Sequence, residues 1–77
     1  MNSKFAKFER FCATRGLAAF PATPSTIYAY IRFLCEEDRA ISVQSLPQYL
    51  EAISVVHQAR GLLGFSAFEG VTRSEEH

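Results

Sequence analysis

The placement of Gly16, Pro24, Pro47 and Gly61 constrains this chain more than any other feature. Glycine ends a helix cheaply because it tolerates the left-handed residue that follows the last turn, and a helix accepts proline without strain only in its first turn. Between these marks the apolar residues recur at helical spacing, so the chain reads as a string of short helices rather than strands. Its 77 residues leave room for one core, because a chain this short buries only about 60% of its unfolded surface. The expectation is an all-α, single-domain fold over residues 1–77, a small bundle of about four helices.

The first helix is expected from about Ser3 to Arg15, with Phe5, Phe8 and Cys12 as its apolar stripe and Gly16 as its stop. The link Leu17 to Ala22 is short and partly apolar, and Pro21 pushes Phe20 toward an extended conformation, so the link should pack on the domain. Thr23 is placed to cap the second helix, Pro24 fits its first position, and Ile27, Tyr30, Ile31 and Leu34 form its core face. The run Glu36, Glu37 and Asp38 falls in the last turn, where the helix dipole disfavours negative charge, and reads as a solvated end rather than a metal site.

The third helix carries Leu46, Leu50, Ile53, Val56 and His57 on one face. If Ser42 were its cap, Pro47 would clash with the carbonyl four residues back; with Ser45 as the cap, Pro47 stands at the second position and is harmless. A helix from about Ser45 to Arg60 is favoured, with Ile41 to Gln44 as a turn. A short fourth helix is expected after Ser66, with Phe68 and Val71 as its contacts, and residues 74–77 read as a disordered polar tail.

Composition removes several classes of function. Hydrophobic residues make up 48% and charged residues 21%, inside the globular range. No apolar stretch approaches the roughly 20 residues of a membrane span, and no signal pattern opens the chain, so a cytoplasmic protein with no membrane partner is expected. Cys12 and Cys35 lie on or beside apolar faces without CxxC spacing, which predicts buried free thiols and no metal or other cofactor. Neither a nucleophile with its base nor a phosphate loop is present. His57 shares a face with Leu50 and Ile53 and reads as a packed core histidine.

The formal charge is zero, yet its distribution is uneven. Residues 1–32 hold Lys4, Lys7, Arg10, Arg15 and Arg32 against Glu9, a balance of +4; the remainder holds Arg39, Arg60 and Arg73 against seven acids, a balance of −4. Such asymmetry suggests one face suited to an anionic partner. On the first helix Ser3, Lys7, Arg10 and Thr14 share an outward stripe, with Lys4 beside it. That stripe fits either a solvated helix face or one laid on a phosphate backbone. On the third helix the face opposite the core holds Gln48 and Val55 flanked by Glu51 and Ala52, with Gln44 just upstream. Glutamine can read adenine and a small apolar residue can touch a thymine methyl, although plain surface is the commoner meaning of such a face.

The ordered pieces of this chain resemble the N-terminal core-binding, SAM-like domain of the tyrosine recombinases, the phage-integrase family that cuts and rejoins DNA strands. Those pieces are Phe11-Cys12, Phe20-Pro21-Ala22 with Pro24, Tyr30-Ile31 with Leu34, Ser45-Leu46, Leu50-Glu51-Ala52-Ile53, and His57 to Gly61. The resemblance implies a small helical bundle that clamps double-stranded DNA, with Ser3, Lys4, Lys7, Arg10, Thr14, Gln44, Ser45 and Gln48 as the contacts. It further implies a C-terminal catalytic domain of the same parent chain as partner, and other recombinase protomers on the DNA. The family's catalytic tyrosine, arginines and histidines belong to that later domain, so this chain alone is expected to be catalytically silent. Ala40 stands where the family usually has glycine, Pro47 where it has ordinary helix formers, and Met1 marks a later start than is usual for its first helix. The alternative is a helical protein-protein interaction module that does not bind DNA.

Overall fold

The computed structural model describes residues 2–38 and 41–68. They form α1 (Ser3–Arg15), α2 (Pro24–Glu36), a single 3-10 turn at Val43–Ser45, and α3 (Leu46–Ala59), with no strand among the described residues. Both α2 and α3 pack on α1.

Each boundary has a local cause. Asn2 opens α1: its side-chain oxygen accepts from the N–H groups of Lys4 at 3.1 Å and Phe5 at 3.2 Å, which satisfies donors that the first turn would otherwise leave unpaired. Gly16 closes α1 with φ 67°, a left-handed conformation that is strained for any residue with a Cβ. Thr23 caps α2, accepting from the Thr26 N–H at 3.2 Å, with Pro24 in the first turn. Ser45 stands at the cap position of α3 with Pro47 in the first turn, so the helix runs 14 residues undisturbed. The Ser45 hydroxyl makes no cap bond and instead pairs with the Ser42 hydroxyl at 3.1 Å.

The core is drawn from all three α-helices. Phe5, Phe8, Phe11 and Cys12 of α1 meet Ile27, Tyr30 and Leu34 of α2 and Leu50 and Ile53 of α3, with Ala22 and Ala67 from the connecting segments. Tyr30 fills the centre, 4.9 Å from the Phe8 ring and 5.0 Å from Phe11. Burying each such side chain contributes about 1.5–3 kcal/mol, so these aromatics carry much of the stability of a small fold. The link between α1 and α2 packs down as expected, with Phe20 half-buried, a cis Phe20–Pro21 bond and Ala22 buried.

Several expectations need correction. Cys35 is exposed and only Cys12 is a buried thiol; Cys35 sits one residue past Leu34, about 100° off the buried stripe. Ala52, expected to flank the outward face of α3, is buried. In the acidic run Glu36 and Glu37 are exposed as expected and only Asp38 is largely shielded, and each of the three also holds a cation. A helical turn opens at Ala67 and Phe68, with the Ser66 hydroxyl accepting from the Phe68 N–H at 3.2 Å. The remainder of that expected helix with Val71, the tail at 74–77, Ala40 and Met1 lie outside the described residues.

Candidate nucleic-acid interface

The expected contact residues fall on two flanks of α1. On the α3 flank the Asn2 cap fixes the first turn and so sets Lys4, whose ammonium stands 5.7 Å from the Tyr49 ring centroid. Lys4 and Gln48 line one open groove of about 570 Å³, together with Asn2, Glu51, Ala52 and Val55. Gln48 reaches it because Pro47 begins α3 cleanly and leaves Gln48 in the first turn. Gln44 is exposed on the preceding 3-10 turn and Ser45 is half-buried beside it. Ser3 is exposed on the first turn of α1.

On the α2 flank, Lys7, Arg10 and Thr14 line a second groove, of about 380 Å³, with Phe11, Arg15 and Phe33. Lys7 is ion-paired with Asp38 at 2.5 Å. Arg15 lies 4.3 Å from the Phe11 ring centroid and 5.3 Å from Phe33, and pairs with Glu37 at 3.6 Å. The Thr14 hydroxyl donates to the Phe11 carbonyl at 2.8 Å, so its oxygen is tied to its own helix. Arg10 is exposed. The stripe drawn from the sequence is therefore divided: Lys4 joins Gln48, while Lys7, Arg10 and Thr14 share the other groove.

Asn2, Tyr49 and Arg15 were missed by sequence reasoning. Asn2 had a signal, an Asn just ahead of an apolar helical pattern. Arg15 had a weaker one, its i+4 spacing from Phe11, which sets a cation over a ring.

His57 is fully buried and lies away from both grooves. Its Nδ1 is 2.8 Å from the Ile53 carbonyl, which can only accept, so Nδ1 donates; Nε2 then accepts from the Ala22 N–H at 2.9 Å. Only the neutral ring satisfies both partners. Burial pushes the imidazole below the usual histidine range; the bond to Ile53 opposes that shift and the charge of Arg60 adds to it. The ring stacks on Phe65 at 4.0 Å and lies 4.6 Å from Phe20. Burial pushes the Cys12 thiol up, and Glu9 adds to the rise, so Cys12 is a poor nucleophile. Among the described residues no three His, Cys, Asp or Glu side chains gather to hold a metal ion, and no helix is long and apolar enough to cross a membrane.

Comparison of the chain with family models, curated proteins and solved structures gives no match.

Proposed function

We propose that this chain is a DNA-binding module of the core-binding kind found in tyrosine recombinases, holding one side of a duplex while a catalytic domain of the same parent chain acts. The observation that carries the reading is the shared groove of Lys4 and Gln48, which belong to the first and third helices. It sets a cation for phosphate beside an amide able to read adenine, with Val55 at hand for a thymine methyl. Gln44 and Ser45 extend that surface at the start of α3 and Ser3 at the start of α1, while Arg10 adds a cation from the groove on the other flank of α1. With few cations in play, affinity in isolation is low, and tethering to a second domain supplies the rest.

The test is fluorescence anisotropy of labelled duplex DNA across a salt series. A slope of log affinity on log salt of about −2 is expected, as for roughly two neutralised phosphates, with loss of binding in Lys4→Glu/Arg10→Glu. Absence of binding at low salt by the folded chain overturns the reading. The exposed Val43 and Val55 and the internal pairing of Lys7 favour the second reading, a helical protein-protein interaction module, and that result would select it.

A further inference from the structure

We propose that the acidic run at the end of α2 masks the cationic side of α1, so that Glu37 and Asp38 occupy in cis the positions that DNA phosphates would take. The proposal rests on the DNA-binding reading and names a regulation of that surface. Glu36 holds Arg32 at 3.2 Å, Glu37 holds Arg15 at 3.6 Å, and Asp38 holds Lys7 at 2.5 Å. Of the five cations in residues 1–32, this one run therefore engages three. The excess of +4 over those residues becomes +1 once the three acids are counted with them.

The placement of the run argues against mere solvation. Three acids end a helix whose last turn carries no basic residue, and the negative end of the dipole disfavours them there. Their charge is offset chiefly from outside the helix, by Lys7 and Arg15 of α1. The contacts differ in depth. The Asp38 side chain is only 14% exposed and Lys7 30%, whereas Glu37 is 63% exposed and Arg15 41%. Asp38 is thus the inner latch, and Glu37 the outer one that solvent and counterions loosen first. A phosphate backbone laid along α1 meets Arg10 and Lys4 directly and gains Lys7 and Arg15 only by displacing these carboxylates. The mask lowers affinity for any duplex and favours DNA presented at high local concentration, as tethering provides.

Anisotropy with the same labelled duplex tests this on the full chain, with folding followed by circular dichroism. Glu37→Gln/Asp38→Asn is expected to bind at least about tenfold more tightly at low salt and to steepen the salt slope by roughly 2, one for each released cation. Glu75→Gln/Glu76→Gln, which changes net charge equally, should gain much less. Lys7→Gln should alter affinity less than about twofold in the native chain but remove much of the gain in the Asp38→Asn background, a coupling that a general charge effect does not produce. Equal gains in the two double variants, or an equal cost of Lys7→Gln in both backgrounds, overturn the mask while leaving DNA binding intact. No binding by either the native chain or the unmasked variant overturns both proposals.

Discussion

Toward α3, helix α1 meets a joint built on a neutral histidine; toward α2, it meets an aromatic cluster bordered by ion pairs. On the α3 side Phe5 stands edge-on to the His57 ring at 6.2 Å, and His57 ties α3 to the α1–α2 link through the Ala22 N–H. On the α2 side Phe8 and Phe11 flank Tyr30, and Lys7–Asp38 and Arg15–Glu37 cross above them. The difference shows how a small all-α domain divides its work. Buried neutral hydrogen bonds are little affected by salt and fix the bundle, while partly exposed charges add little stability and remain free to exchange partners.

The largest effect is expected from His57→Ala. It removes a fully buried ring, leaves the Ala22 N–H without its acceptor and opens a cavity beside Phe65. A loss of about 3–5 kcal/mol is expected, enough to unfold a large share of a domain this small. The same joint predicts a pH response. The His57 pKa is lowered on folding, so its stability contribution is full above the ordinary value of 6.5 and is lost as pH falls below it. Urea midpoints should therefore drop between pH 7 and pH 5, and His57→Gln, which keeps an acceptor but cannot charge, should flatten that part of the profile. An unchanged slope in His57→Gln would move the pH response to other groups.

The helix plan was legible because its signals are local. Thr23 before a helix and Gly16 after one act within a turn, and the Ser45 start of α3 followed from where Pro47 can sit without a clash. The core histidine was legible from periodicity, yet its partners were not, since Ala22 lies 35 residues away. The site was less legible for the same reason. A helical wheel ranks Lys7 with Arg10, but only the crossing of α1 and α2 brings Asp38 to Lys7, and no wheel contains both. The division of +4 and −4 between the halves suggested a face for an anionic partner, and folding then set part of one half against the other.

On the α2 side, Tyr30→Phe is expected to have a smaller effect of opposite sign. The Tyr30 hydroxyl is buried without a hydrogen-bond partner among the described residues. Burial pushes its pKa up, with Tyr49 and Asp38 adding to the rise, so the phenol stays neutral. Deleting the oxygen keeps the ring contacts with Phe8 and Phe11 and removes a desolvated polar atom. Stability should rise by about 1 kcal/mol, seen as a higher melting temperature. A loss instead would mean that the hydroxyl holds a partner and that the aromatic cluster is less apolar than its packing indicates.

The smallest effect is the one that decides whether the ion pairs belong to the scaffold or to the surface. A double-mutant cycle with Lys7→Gln and Asp38→Asn should give a coupling of about 0.5–1 kcal/mol, because both side chains are partly shielded and the pair crosses between helices. It should shrink as salt rises, since roughly 1 M salt brings the screening length down to about 3 Å. The His57→Gln difference, with no charge to screen, should hold steady over the same series above pH 7. A Lys7–Asp38 coupling above about 2 kcal/mol, insensitive to salt, would make that pair as structural as His57 and would leave Lys7 unable to change partners.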